Sequence, residues 1–342
     1  MNPGMRDNIP ESCEYFEERP MNKRLLTTSA FAALMAAAFF VTGGSAEPNV
    51  VTKIADGVWF REGDIKGQGH CNNTIIEMKD YLVVIDANFP SGARATIADA
   101  KKLSPKPVKY VFITHHHGDH DYGSAVWTEA GATTFAYKGV AEEMKRYEPN
   151  RWQDAAKSRK DVADLHRDAP EPPKQTFDKS PYLLKDGTRE IQFHFFGWAH
   201  TRGDGFAWLP KERVIASGDA GVNGAFNYTA DANIGNWPKV MEAALKLKPL
   251  HVLPGHGGPG GPEILSGQAA FMTELHKAVS AEIAKGHKLE DFVTMKNGAP
   301  SATTITLPAT VSNWVGGSLA TQVSDTYREI TQKQPNGAIS HK

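Results

Sequence analysis

Cysteine is scarce in this chain: Cys13 and Cys71 are the only two. Cys13 falls in an N-terminal stretch set aside below, so one thiol remains and no internal disulfide can form. A large domain in an oxidising compartment manages without one. An excess of charge of either sign is missing as well. Lys and Arg number 38 against 39 Asp and Glu, so no large excess of one sign suggests a nucleic-acid surface or an acidic tail. Internal repeats and low-complexity arrays are absent. So is a Gly-x-Ser-x-Gly elbow, the signature of one large class of serine hydrolases. What remains is ordinary globular composition, 40% hydrophobic and 23% charged over 342 residues, enough for one large domain or two small ones.

Residues 1–46 read as an extension and a secretory signal. Met21-Asn22-Lys23-Arg24 is a short basic segment, residues 25–41 are an almost unbroken apolar run, and Thr42 to Ala46 are small. That order predicts cleavage after Ala46 and a periplasmic or secreted product without stable membrane insertion. An uncleaved anchor is the alternative, with a run near the short end for a bilayer. Glu11, Glu14, Glu17 and Glu18 precede the basic segment, which makes Met21 the better start. Without Arg6, Arg19, Lys23 and Arg24 on one side and Asp7 and those four glutamates on the other, 34 charges of each sign remain.

Strands and helices alternate through the body. Apolar runs predict strands at 54–60, 74–78, 81–86, 108–114 and 132–136, with helices at 93–103 and 139–147. Residues 148–180 are charged and carry Pro170, Pro172 and Pro173; they read as an inserted helix and loop, either a lid or a solvated excursion. The pattern then resumes, with strands at 191–196, 205–209, 214–217 and 251–253 and helices at 237–247 and 264–285. A final helix is expected at 318–333. The resulting division is a main domain over 47–285 containing the 148–180 insert, and a C-terminal extension over 286–342.

Polar residues with metal-ligating chemistry fall just beyond strand ends, the usual place for a site on a layered α/β scaffold. The densest group is Thr114-His115-His116-His117-Gly118-Asp119-His120. Imidazole and carboxylate are normal zinc donors. Alternate residues His115 and His117 point one way on an extended backbone, Gly118 permits a turn, and Asp119 and His120 approach from another side. One ion cannot easily take all four, so two adjacent ions are indicated. His116 should face away as a structural histidine.

This segment resembles the H-x-H-x-D-H signature of the metallo-β-lactamase superfamily. Three further segments follow in that family's order: Ala199-His200-Thr201-Arg202-Gly203-Asp204, Ser217-Gly218-Asp219 and Leu253-Pro254-Gly255-His256-Gly257. The resemblance spans roughly residues 54–280. It implies a four-layer αββα sandwich with His115, His117 and His200 on a first Zn²⁺, Asp119, His120 and His256 on a second, and Asp219 bridging. Iron or manganese are alternatives to zinc. Asp86 sits where the family places a buried aspartate behind the ligands. All seven ligand positions are filled, which argues against a non-catalytic binding protein.

The implied mechanism is hydrolysis of a small-molecule substrate by a hydroxide shared between the ions, with Asp119 orienting the water and moving its proton. The layout of the second half, including Trp208-Leu209-Pro210 and Thr229-Ala230-Asp231-Ala232-Asn233, is similar to the zinc β-lactamases. Two departures count against that activity. Asp219 stands where those enzymes carry cysteine, and Val222 stands where they carry a lysine that grips the substrate carboxylate. The expectation is therefore cleavage of a carboxylic ester, thioester or lactone, with the β-lactam amide second and an iron-dependent redox reaction third. Asn223, Asn227 and Tyr228 are pocket donors or an ordinary polar turn. His70 and Cys71, with Asn72 and Asn73, are placed near the rim. His194, Trp198 and Trp208 are read as packing residues, and His251, which opens an apolar strand, as structural.

Overall fold

A computed structural model describes residues 47–338; the expected signal segment lies outside the described residues. One sheet of seven strands is built in sequence order from β1 (Val51–Ala55), β2 (Val58–Arg61), β3 (Asn73–Glu77), β4 (Leu82–Ile85), β5 (Val108–Ile113), β6 (Thr133–Tyr137) and β7 (Gln175–Phe177). Its first four strands are antiparallel, and β4 to β7 run parallel. The helices interleaved with this half are α1 (Pro90–Leu103), α2 (Gly118–Asp121), α3 (Ser124–Glu129), α4 (Lys138–Ser158) and α5 (Lys160–Ala163). The second sheet contains β8 (Tyr182–Lys185), β9 (Glu190–Phe195), β10 (Gly205–Leu209), β11 (Val214–Gly218) and β12 (His251–Pro254), in the order β12-β11-β10-β9-β8. Helices α6 (Trp237–Leu245) and α7 (Glu263–Ala284) follow, then a hairpin of β13 (Val293–Lys296) and β14 (Ala299–Thr303), and α8 (Leu319–Gln332).

Successive strand residues point to opposite faces, and this alternation sets four layers. Ile76, Val83, Ile85 and Phe112 face inward and meet Ile191, Phe193, Leu209 and Ala216 of the second sheet. Their neighbours Ile75, Val84, Val111 and Ile113 face outward against Ala93, Ala100, Trp127, Val140 and Met144 of α1, α3 and α4. On the far side, Phe206, Trp208, Ile215 and Val252 meet Trp237, Val240, Phe271, Leu275 and Val323 of α6, α7 and α8. The expected αββα sandwich is thus observed. Among the described residues no helix is long and apolar enough to cross a membrane.

Several expected boundaries shift. The strand at 54–60 is two strands, because Asp56-Gly57 turns the chain, with Gly57 at φ +66°. Helix α4 does not stop near 147; it runs through Pro149 to Ser158. The ring costs a backbone hydrogen bond, but Met144, Tyr147, Glu148 and Trp152 continue one buried face across it. His251 opens β12 as expected and is exposed there. Within 286–338 the chain forms the β13–β14 hairpin ahead of α8, and Phe292, Val293, Ile305, Val311, Trp314 and Val323 join the second helix-layer core.

Helix α8 also sends polar side chains into the loop before α6. The Glu329 carboxylate accepts the Ile234 and Gly235 N–H groups at 2.9 and 2.7 Å, and Asp325 accepts the Thr229 hydroxyl at 2.6 Å. Gln322 donates to the Asn227 carbonyl at 2.8 Å. Backbone groups that would be orphaned near a helix start are satisfied from a distant segment.

His194 in β9 is buried, with Nε2 3.0 Å from Gln192 Oε1 and its ring stacked on Phe196. Burial pushes its imidazole from the ordinary 6.5 down to about 4. The unfolded chain takes up this proton below about 6.5 and the folded chain only near 4. The stabilisation is therefore complete above 6.5 and lost as pH falls toward 4. Relative to a His194→Gln variant, the wild type should lose about 1 kcal/mol of urea-unfolding free energy between about pH 7.5 and about pH 5, after allowance for solvent screening. An unchanged difference between the two proteins would refute the assignment.

Candidate metal centre

The site assembles where strand ends of both sheets meet. β4 leads directly into Asp86, which adopts φ +68°, a left-handed conformation Asp tolerates better than most residues. Asn73 holds it there by donating to the Ile85 and Asp86 carbonyls at 3.1 and 2.8 Å. Asp86 then accepts the Thr114 N–H through Oδ1 and meets His120 Nδ1 through Oδ2, both at 2.8 Å. One carboxylate thereby fixes the end of β5 and the first turn beyond it. His115 and His117 lie in the bend that follows β5, and Asp119 and His120 in α2.

The other sheet supplies three residues from loops. Asp204 accepts the backbone N–H groups of Ala199 and Thr201 at about 3 Å and shapes the loop holding His200. Asp219 follows Gly218 at the end of β11, where a Cβ on Gly218 would lie 2.5 Å from Thr114 Oγ1. His256 follows β12. Gly255 before it packs so closely that a Cβ would fall 2.1 Å from Asp219 Oδ1. Asn72 ties this loop to the first sheet by donating to the Pro254 and Gly257 carbonyls at 2.9 Å each.

All seven expected ligand residues converge. His115, His117 and His200 form one close group of donor atoms, Asp119, His120 and His256 another, and Asp219 stands with His115 and His120 between them. Asp219 Oδ2 is 3.8 Å from His200 Nε2 and 3.4 Å from His256 Nε2, and its Oδ1 is 3.3 Å from His120 Nε2. Asp119 Oδ2 is 2.9 Å from His256 Nε2. Asp119 is partly exposed; His115, His120 and His200 are buried.

The outer ring nitrogens are tied down. His115 Nδ1 meets Thr114 Oγ1 at 3.0 Å, His117 Nε2 meets Asp231 Oδ2 at 2.8 Å, and His200 Nδ1 meets the Tyr228 carbonyl at 3.0 Å. A carbonyl and an ionised carboxylate only accept hydrogen bonds, so His200 Nδ1 and His117 Nε2 carry the protons. Their inner nitrogens, His117 Nδ1 and His200 Nε2, are then lone pairs facing each other at 2.9 Å. Burial resists a second proton: it lowers His117 and His115 and pushes His200 down to about 3. His115 Nε2 and Asp219 Oδ1 are buried with no hydrogen-bond partner. Unprotonated nitrogens and a carboxylate aimed at one point are the donor set of a divalent cation. The residues therefore fit the metals expected of them.

Electrostatics differ across the centre. Burial opposes charge on His256, but Asp219 and Asp119 outweigh it and raise the imidazole to about 9. Burial likewise opposes ionisation of Asp119, yet His120 and His256 hold its carboxyl well below the usual range.

Other sequence-based placements are corrected or refined. His116 does face away, with Nδ1 2.9 Å from Glu148 Oε1. Cys71 is not at the rim: it is fully buried beside Asp86 and His120, and burial pushes its thiol up to about 12. His70 is buried against Ser91, with Nε2 2.7 Å from its hydroxyl. Asn227 is buried and accepts from Gln268 at 2.7 Å, so it lines no pocket. Asn223 donates to the Gly258 carbonyl. Tyr228 is 48% exposed, with its ring edge-on to His117 at 5.3 Å. Trp208 is core, and Trp198 donates to the Asp231 carbonyl under the Arg202 guanidinium. Sequence reasoning missed Asp231, Glu148 and Arg151, which surround His116 and His117. Asp231 stood inside a quoted segment without a role, and the two α4 residues resembled a solvated charged face.

A family model described as the metallo-beta-lactamase superfamily matches residues 67–256. A curated relative, the metallo-beta-lactamase type 2 of Bacteroides fragilis, is 29% identical over 114 residues; the match covers 32% of this chain and 45% of that protein. The chain thus spans less than half the length of this relative. Among solved structures, a metallo-beta-lactamase from Pontibacter korlensis superposes with TM-score 0.54 at 21% identity, over 66% of this chain and 98% of that one. The enzyme FIM-1 from Pseudomonas aeruginosa, solved in a mono-zinc form, gives TM-score 0.53 at 20% identity over 68% and 97%. These likenesses establish a shared fold. Because the family model covers more than half of its length, this chain belongs to the metallo-beta-lactamase superfamily.

Proposed function

We propose that this protein is a hydrolase dependent on two divalent ions, zinc in the first instance, that cleaves a carboxylic ester, thioester or lactone bond of a small molecule in the periplasm or outside the cell. The observation that carries the reading is the pair of opposed lone pairs on His117 and His200, which a cation resolves. His115, His117 and His200 would hold the first ion, Asp119, His120 and His256 the second, and Asp219 would touch both. Such ions, when bound, supply an acidified water as nucleophile and a Lewis acid for the substrate carbonyl.

The chain's own residues supply the rest. Asp119 is the most open of the carboxylates at the centre. It orients the attacking water by accepting its hydrogen bond and takes the proton released in attack. Asp86 keeps His120 Nδ1 occupied so that Nε2 points inward. Tyr228 and the half-buried Phe226, whose ring centroid lies 5.7 Å from His256, offer apolar surface beside the two halves of the centre.

Cleavage of a β-lactam amide is the second reading, favoured by the names of the matched relatives. Val222 weighs against it. Its side chain is fully buried in the second helix-layer core and its carbonyl accepts from Trp314 at 2.9 Å, so this position offers no cation for a substrate carboxylate.

The test is a panel of an aryl ester, a thioester, an acyl lactone, a penicillin and a cephalosporin with zinc-loaded protein. Turnover of the first three, abolished by chelator and restored by zinc, is expected. His117→Ala and Asp219→Ala should each lower kcat by at least about 100-fold. Turnover confined to β-lactams would replace the substrate class, and chelator-resistant turnover would remove the mechanism.

The raised pKa of His256 gives a separate expectation. Below about 9 the metal-free imidazole is protonated, so an ion entering this half must displace a proton, and affinity weakens as pH falls from about 9. His200, already neutral above about 3, imposes no such cost near neutrality. Calorimetry near pH 7 in buffers of different ionisation enthalpy should find proton release with one equivalent of zinc and little with the other. Equal release from both equivalents would contradict this division.

A further inference from the structure

His116 and His117 are consecutive, so their rings leave the backbone in different directions, and each meets a different buried carboxylate. Glu148 on α4 takes His116 Nδ1 through Oε1 at 2.9 Å and accepts the Tyr122 hydroxyl through Oε2 at 2.5 Å. Asp231, in the loop before α6, takes His117 Nε2. Glu148 is fully buried and Asp231 is 1% exposed. Two carboxylates so close together in a poorly solvated region repel each other and are costly to bury unpaired.

Arg151 lies between them. Its Nη1 is 2.8 Å from Asp231 Oδ2 and 3.3 Å from Glu148 Oε1, while Nη2 donates to Asp231 Oδ1 at 3.0 Å. The two bonds to the two oxygens of Asp231 are the forked geometry that fixes a carboxylate plane as well as its position. The guanidinium lies over the Tyr147 ring at 4.9 Å, and that ring is itself stacked on His116 at 5.7 Å. The Tyr147 hydroxyl donates to the Gly337 carbonyl at 2.7 Å. Helix α4 is thereby attached both to the histidine segment and to the chain that follows α8.

We propose that Arg151 is a positioning residue for the three-histidine half of the centre: by gripping Asp231 at both oxygens it holds His117 with Nε2 protonated and Nδ1 free to bind a cation. The inference rests on the metal-dependent reading above and extends it to a residue outside the seven ligand positions. Its action is specific to one half. The other half is oriented through Asp86 and His120, which Arg151 does not contact. Partners of this kind behind a ligand typically change metal affinity 10–100-fold when removed. Arg151→Met should therefore weaken one of two zinc equivalents by about 10–100-fold and leave the other unchanged. Arg151→Lys keeps the charge but cannot form the fork, and its loss should be intermediate.

The experiment titrates metal-free wild type, Arg151→Met, Arg151→Lys and the surface control Lys157→Met with zinc against a competing chelator. In parallel, the ring-nitrogen NMR shifts of His117 are read in the zinc-free proteins. Wild type and Lys157→Met should bind two equivalents and show His117 protonated at Nε2. Arg151→Met should lose affinity for one equivalent and show a mixture of His117 tautomers. Wild-type affinities and an unmixed tautomer in Arg151→Met overturn the proposal, as they do in Arg151→Lys if the methionine variant fails to fold. Uniform weakening of both equivalents also overturns it, because that is the signature of general destabilisation. Failure of wild type to bind two equivalents removes the metal-dependent reading itself, and the proposal with it.

Discussion

Two imidazole nitrogens with exposed lone pairs do not rest 2.9 Å apart in a buried cleft without a reason. Each could relieve the contact by taking a proton, but burial opposes a charged imidazole at both. Each could rotate, but the far side of each ring is anchored, one to a carboxylate and the other to a carbonyl. The fold maintains an electrostatically unfavourable arrangement that a positive ion converts into a favourable one. Much of the surrounding polar structure is explained as anchorage that prevents these rings from turning away.

That anchorage draws on both sheets and on two helical layers. The first sheet contributes Asp86, positioned by Asn73 at the end of β4, and the bend that follows β5. The second contributes the tight loops after β9, β11 and β12, in which Gly218 and Gly255 pass too close to their neighbours to carry a side chain. Helix α4 brings Glu148 and Arg151, and α8 supports the loop that holds Asp231. The inter-sheet core therefore does more than stabilise the protein. By fixing how the strand ends of one sheet face those of the other, it sets the distances between His117 and His200 and between His120 and Asp219.

The convergence of the seven site residues was legible in the sequence through short motifs that resemble a known family. His115, His117, Asp119 and His120 fall within six residues, and the other three lie in loops within a few residues of the ends of β9, β11 and β12. A layered α/β scaffold was legible from the alternation of apolar runs, and its four layers were implied by the family resemblance. Supporting residues were not, because each depends on a partner far away in the chain: His117 and Asp231 are 114 residues apart, and Arg151 and Asp231 are 80 apart. Nothing in a run such as Arg151-Trp152-Gln153-Asp154 marks one charge as buried and another as solvated. The continuation of α4 past Pro149 was hidden for a related reason. Proline is a strong local signal for a break, and it was overridden by a buried face that only the tertiary structure reveals. Asp56-Gly57 was the opposite case, a local turn signal that prevails over the apolar residues on either side.

The support that α8 gives to the Asp231 loop has a consequence for how the molecule matures. A chain is synthesised from its N-terminus, and Thr229 must wait 96 residues for Asp325, as Gly235 must wait 94 for Glu329. Contacts of such long sequence separation form late, because loop closure has to precede the stabilisation they bring. His115, His120 and Asp86 can come together while the nascent polypeptide is still short, whereas the environment of His117 is completed only after α8 has docked. The loop that carries Asp231 thus gains its last supports only when the C-terminal helix is in place, which makes that helix a late requirement for the surroundings of His117.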